Sequence, residues 1–322
     1  MTFSQIIGHE RQKDILRRAL AHGRLAHAYL FEGPEGVGKR LMATALVRAL
    51  FCAEGTGCGR CPACRKIDHH NHPDLHILEA DGQTIKIEQV RALQKELTFR
   101  PLEGPRKVCL IDGAERMNAA AANSLLKTLE EPSGDALLIL LSSRPESILS
   151  TIRSRCQRLP FTRLPQARIK EVLLERMELD PTQGHILAAL SEGSFKKALG
   201  KDRDLYLEKR RELLKSLTAL APSRVLPLFE LANTLAEEKD RLFEILDIFQ
   251  AFYRDLLLYR QGRPEDELVN IDLAEKIRRV ASRESLPSLL TKLDAIEAGR
   301  RHLERNVNRQ LAVEVLLMRL AA

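Results

Sequence analysis

The chain has 322 residues, 44% of them hydrophobic and 30% charged, which suits a globular protein of two or three separately cored domains and argues against disorder. A formal net charge of +7 permits contact with nucleic acid, but with no tryptophan and four tyrosines there are few rings for a base-stacking surface. No run reaches about eighteen apolar residues, and the opening MTFSQIIGHERQKD is charged too early for a secretory signal, so a cytoplasmic protein without membrane contact is expected.

The first apolar run predicts a strand over 28–31. It leads into Gly33-Pro34-Glu35-Gly36-Val37-Gly38-Lys39-Arg40, a G-x-x-x-x-G-K loop in which glycines let backbone N–H groups turn inward and Lys39 supplies charge for a phosphate. The following residue is ordinarily Ser or Thr, whose hydroxyl holds Mg²⁺. Arg40 has five donors and no lone pair for a metal, so the loop keeps its attraction for phosphate and loses the usual means of organising Mg²⁺. Apolar residues at helical spacing over 39–50 set the loop at a helix N-terminus, as phosphate binding requires.

Next come Cys52, Cys58, Cys61 and Cys64, four thiols within thirteen residues. Two C-x₂-C steps overlap at Cys61, with Gly59 and Pro62 providing tight turns. In a reducing compartment this reads as a closed, structural Zn²⁺ site rather than as free thiols or disulfides. Arg60, Arg65 and Lys66 are expected to offset part of the thiolate charge. His69, His70, His72 and His76 follow in a polar turn and are expected to be solvated rather than to hold a second metal.

Further strands are predicted over 75–78, 108–112, 137–142 and 158–161, alternating with helical patterns, so the first half reads as an α/β domain with a mainly parallel sheet. The strand at 108–112 ends in Asp112, which in a phosphate-loop site holds Mg²⁺ directly or through water; its simpler reading is a cap for the next turn. Gly113 stands where many ATPases have the glutamate that polarises water, and Glu115 is expected to point elsewhere, so hydrolysis is doubly impaired. Beyond about residue 163 the pattern is helical. Short helices are predicted over 164–180, 183–191 and 194–201, broken by Pro181 and Gly193, then longer ones over 203–221, 223–239, 241–262, 271–280 and 286–321, the last broken near Gly299 or Asn306. The expected division is 1–163, 164–202 and 203–322.

Several strings taken together resemble one family: Ile7-Gly8-His9-Glu10, His27 through Gly33, the four-cysteine insert after the loop helix, Asn123 through Pro132 (NSLLKTLEEP), Ser154-Arg155-Cys156 and Asn306-Val307-Asn308. The chain resembles the AAA+ clamp-loader subunits of the DNA polymerase III holoenzyme. Its altered nucleotide site and retained Ser-Arg-Cys resemble the delta-prime branch, since gamma/tau subunits normally keep Thr after the lysine and Glu after the aspartate. The resemblance implies a P-loop AAA+ domain, a small helical lid and an all-α collar. It makes Arg155 an arginine finger that reaches a neighbouring subunit's ATP; from charge alone Arg155 would be a salt-bridged surface residue. It makes Ser142 or Ser143 the first sensor of the γ-phosphate, and Lys196 the second, where the family usually has Arg; otherwise Lys196 and Lys197 are a solvated helix face.

The implied partners are the gamma/tau and delta subunits through the collar, the sliding clamp and primed DNA. The implied cofactors are structural Zn²⁺, with ATP and Mg²⁺ in question at the chain's own loop. The implied role is a stator that hydrolyses little ATP itself. The alternatives are a hydrolysis-competent gamma/tau-like ATPase and, from another class, a zinc-dependent DNA-binding module with a vestigial loop.

Overall fold

The computed structural model describes residues 2–131, 134–199, 203–221, 223, 225–238, 241–305 and 307–322, the side chain of Lys196 excepted. Two compact units divide at Leu164.

The first unit is built on five parallel strands, β1 (Ala28–Glu32), β2 (Leu75–Leu78), β3 (Val108–Asp112), β4 (Leu137–Ser142) and β5 (Gln157–Pro160), in the order β2-β3-β4-β1-β5. Every residue of β1 and β4 is buried, because a parallel sheet is covered by crossover helices on both faces and its central strands need apolar side chains on each. Alternation then sorts them. Tyr29, Phe31, Leu110, Ile139 and Leu141 join the core under the helices α1 (Glu10–Ala21), α2 (Lys39–Phe51) and α3 (Pro62–Asp68). Ala28, Leu30, Cys109, Ile111, Leu138 and Leu140 join the core under α4 (Ile87–Leu97), α5 (Ala119–Glu130) and α6 (Ser150–Arg153).

The strand expected at 158–161 sits one residue earlier, yet Phe161 N–H still donates to Glu32 O at 2.7 Å and extends the pairing. Because all strands run the same way, the carboxyl ends of β1, β3 and β4 lie together, with Glu32 opposite Ser142 and Asp112 opposite Leu141. Such an edge is where open α/β sheets bind ligands.

The second unit is all helical: α7 (Gln166–Arg176), α8 (Pro181–Leu190), α9 (Phe195–Ala198), α10 (Arg210–Thr218), α11 (Val225–Glu237), α12 (Leu242–Arg260), α13 (Ala274–Ala281), α14 (Leu286–Glu304) and α15 (Arg309–Ala321). Pro181 begins a helix rather than breaking one. At the first position of α8 its missing N–H has no intrahelical partner to lose, and Asp180 caps the N–H groups of Thr182 and Gln183 at 2.8 and 2.9 Å. The helix expected over 286–321 is two, parting after Glu304, where Asn308 caps the N–H of Leu311 at 3.1 Å.

Buried charges lock this unit together. Arg210 is enclosed and bonded to Asn270, to Asp272 at 2.7 Å and to Tyr206 O at 2.9 Å. Asp255, also enclosed, accepts from the N–H groups of Val269 and Asn270 at 2.9 and 2.8 Å. Lys197 reaches Asp247 at 2.7 Å, and Arg300 binds the same carboxylate, so α9 is fastened to α12 and α14. No helix among the described residues is long and apolar enough to cross a membrane.

Candidate functional site

The glycine loop joins β1 to α2 in the strand–loop–helix setting its motif demands. Gly33 (φ +146°) is irreplaceable on steric grounds: a Cβ there would lie 2.0 Å from Phe161 O. Gly38, at φ +105°, caps α2 in a left-handed conformation that an L side chain resists. His9, itself left-handed (φ 58°) at the start of α1, braces the loop from behind. Its Nε2 donates to Val37 O at 2.8 Å and its ring lies 4.8 Å from that of Phe161. Burial pushes the imidazole below its ordinary value, which keeps it neutral.

Lys39 is 9% exposed and donates to Gly33 O at 2.6 Å and Pro34 O at 2.7 Å. Of its three donors one remains for a ligand. Burial lowers its pKa, opposed by the charges of Glu115, Asp112 and Glu35.

Glu115 turns to Ser143 at the end of β4 and its charge acts on Lys39, contrary to the expectation that it points away. Gly113, left-handed at φ 73°, starts a tight turn over Ala114–Arg116 that swings the side chain back over the strand ends. There Glu115 Oε1 accepts from Ser143 Oγ at 2.5 Å and Ser143 N–H at 3.2 Å, while Oε2 is buried with no hydrogen-bond partner. Burial favours its neutral form, but hydrogen bonds from Ser143, from its own N–H and from Ser142 outweigh that and hold its pKa below the usual value. Both serines lower the Glu115 pKa, Ser143 more strongly; Ser142 is buried at the end of β4 and accepts from Arg144 N–H at 3.1 Å, whereas Ser143 bonds Glu115 through both Oγ and N–H.

Arg40 crosses the mouth of the loop. Its Nη1 donates to Asp112 Oδ2 at 3.0 Å and to Glu79, just past β2. The aspartate expected to hold Mg²⁺ is thus already paired with a guanidinium from the position where the metal's hydroxyl ligand would stand.

At the other end of α2, Cys52, Cys58, Cys61 and Cys64 come together, all four sulfurs within 4.8 Å of one another and those of Cys52 and Cys61 4.0 Å apart. Zinc–sulfur bonds of about 2.3 Å set tetrahedral sulfurs roughly 3.8 Å apart, so the cluster has the right size for Zn²⁺. The local fold explains the approach. Cys52 ends α2, while Cys61 caps α3, its Sγ accepting from Cys64 N–H at 3.5 Å, with Pro62 in the first turn. Cys58 N–H similarly reaches Cys52 Sγ at 3.4 Å. For Cys52 burial is outweighed by such N–H donors and the pKa falls to about 6, whereas Cys64 is pushed up to about 12 by burial. A divalent cation would remove that conflict by favouring all four thiolates.

The flanking cations divide: Lys66 pairs with Glu103 at 2.6 Å, whereas Arg60, paired with Glu54 at 2.8 Å, also feels the Cys58 sulfur, and both partners raise its pKa. Nor is every neighbouring histidine solvated. His72 is buried, stacked on Phe51 at 4.4 Å, and its Nδ1 accepts from Asp74 N–H at 3.2 Å.

Arg155, just past α6, is 36% exposed and pairs with Glu130 at 2.7 Å; its Nη1 donates to Thr151 O at 2.9 Å. This joins the Ser-Arg-Cys string to the Leu-Glu-Glu end of α5. The side chain of Lys196, together with Pro132 and Asn306 of the family strings, lies outside the described residues.

Two family models match, "DNA polymerase III, delta subunit" over residues 8–165 and "DNA polymerase III, delta subunit, C terminal" over residues 205–322. Similarity to a curated relative runs nearly end to end: DNA polymerase III subunit delta′ of Bacillus subtilis is 35% identical over 315 residues, 96% of this chain and 95% of that one. The chain belongs to the DNA polymerase III delta-prime subunit family. The delta′ subunit of Pseudomonas aeruginosa is 33% identical, covering 92% of each chain. Subunit tau of Escherichia coli is 35% identical over 62% of this chain, which spans 32% of tau. Among solved structures, a gamma subunit-related protein of Thermotoga maritima aligns with 95% of this chain and 98% of its own at 20% identity and a TM-score of 0.47.

Within this family frame, Glu79, Glu115 and His9 are the loop's neighbours that sequence reasoning did not assign. The only sequence signals were a carboxylate just past each of two strands and the Gly-His step before α1.

Proposed function

We propose that this chain is a clamp-loader stator, a subunit that helps a sliding clamp onto primed DNA while hydrolysing little ATP itself. The observation that carries the reading is Arg40 bound to Asp112 and Glu79 across the loop, in a chain whose relatives of matching length are named delta′. A site whose metal-binding carboxylate is neutralised by its own arginine is poorly equipped for Mg²⁺-dependent phosphoryl transfer.

On this reading Arg155 is an arginine finger acting in trans, and Ser143, beside Glu115, is preferred to Ser142 as the first sensor. Lys196 is the second sensor. Residues 1–163 form the AAA+ domain, 164–202 the lid and 203–322 the collar that meets gamma/tau and delta subunits, and Zn²⁺ on the four cysteines is structural. The test is reconstitution with partner subunits, clamp and primed DNA. Arg155→Ala is expected to lower ATP turnover at the site it serves by about 10³-fold or more at equal assembly. Unchanged turnover removes the finger.

A second reading, a hydrolysis-competent gamma/tau-like ATPase, is favoured by Glu115, whose charge acts on Lys39 and whose unpartnered Oε2 has the lone pair a water-polarising base needs. Steady-state hydrolysis by the purified chain that disappears in Glu115→Gln selects it. The stator reading expects only trace turnover in both proteins.

A further inference from the structure

The guanidinium of Arg40 has more donors than its observed partners use. Nη1 serves Asp112 and Glu79, which leaves Nε–H and the two hydrogens of Nη2. Arg40 stays 45% exposed at the loop's mouth, so those donors are open to a ligand. Below it, Lys39 keeps one N–H in reserve, and the first turn of α2 presents backbone N–H groups without intrahelical acceptors. In phosphate-loop enzymes the strand-end carboxylate is linked to the phosphate tail through Mg²⁺, a cation between two anions. Here a cation fixed to the chain stands against the same carboxylate. Its planar fork matches phosphate oxygens in pairs, a geometry a hydrated metal does not need and a lysine could not supply.

We propose that the loop binds the phosphate tail of a nucleoside di- or triphosphate without a divalent metal, Arg40 taking the place of Mg²⁺ between Asp112 and the phosphates. The inference rests on reading residues 33–40 as a phosphate site. It does not depend on Arg155, whose test in the assembled complex can fail or succeed separately.

Calorimetric titration of the full-length, zinc-replete chain with ADP and with ATP, in EDTA and in excess Mg²⁺, tests it. The wild type is expected to bind in EDTA with an affinity within about threefold of that in Mg²⁺. Arg40→Thr restores a metal-ligating hydroxyl and is expected to lose about tenfold or more in EDTA and to recover in Mg²⁺. Arg40→Lys, which keeps charge without the fork, is expected to bind more weakly than wild type but still without metal dependence. The proposal is overturned by any one of three results: no binding by the wild type in either buffer, a Mg²⁺ gain above about threefold for the wild type, or a threonine variant that binds like wild type in EDTA or is not restored by Mg²⁺. Inorganic pyrophosphate as competitor separates recognition of the phosphate tail from that of the base: displacement is expected, and its failure removes the phosphate assignment.

Discussion

The two ends of α2 gather opposite kinds of group. Lys39 and Arg40 stand at the N-terminus, where the macrodipole is already positive, and the thiols grouped around Cys52 stand at the C-terminus, beyond Arg48 in the last turn. The N-terminal arrangement is one that an isolated helix does not favour. The N-terminal end has found its counter-charge inside the chain, in Asp112 and Glu79, whereas the C-terminal end has a sulfur cage sized for a cation from outside. One helix therefore shows one end whose counter-charge comes from the chain itself and another whose four sulfurs have the spacing for a cation, and the two should respond differently to the same treatment.

The largest response is expected at the sulfur end. Stripping Zn²⁺ with a chelator, or replacing Cys64 with Ser, is expected to lower the melting temperature by about 10 °C or more, since structural zinc is held by folding free energy. Calorimetry on metal-replete and metal-free protein checks this, and superimposable melts would end the structural role. At the loop end, Arg40→Ala removes only half-exposed ion pairs and is expected to change stability by less than about 1 kcal/mol in urea unfolding. A loss comparable to that at Cys64 would break the contrast.

A further contrast is a pH dependence at Asp74 and His72, two buried groups ahead of β2. Burial raises the Asp74 carboxyl, but N–H donors from Gly104, Leu102 and Glu103, with Lys107, outweigh it and hold its pKa at about 2. A depressed carboxylate contributes above its unfolded value of about 3.9 and loses that contribution as pH falls toward the folded one. His72 is lowered chiefly by burial, so it too favours the deprotonated fold, losing stability as pH falls below about 6.5. Asp74→Asn is expected to cost about 2 kcal/mol at neutral pH and to flatten the loss below pH about 4. An unaltered acid limb in thermal melts would remove Asp74 from this account.

What could be read from the sequence follows from how local each signal is. The strands were legible because Ala28–Glu32, Val108–Asp112 and Leu137–Ser142 are short apolar runs that only a covered parallel sheet accommodates. The cysteines were legible because their ligand spacing is carried within a single insert. The state of Arg40 was not, since its partners lie 39 and 72 residues further along and meet it only where β2 and β3 end. Glu115 was misjudged because its direction depends on one left-handed glycine, and His72 because nothing in a polar histidine run announces the Phe51 ring that covers it. The break expected near Gly299 or Asn306 comes after Glu304, with Gly299 inside the helix, while the break expected at Pro181 lies just before it, because proline fits the first position of the helix that follows.

The pairing of Arg155 with Glu130 carries a consequence for encounters with other molecules. A guanidinium steadied by a half-exposed carboxylate and by Thr151 O keeps its direction, yet the exposed ion pair is worth less than about 1 kcal/mol. A more highly charged anion, such as a phosphate, arriving on a neighbouring surface can replace Glu130 by simple exchange. The side chain is holstered rather than locked.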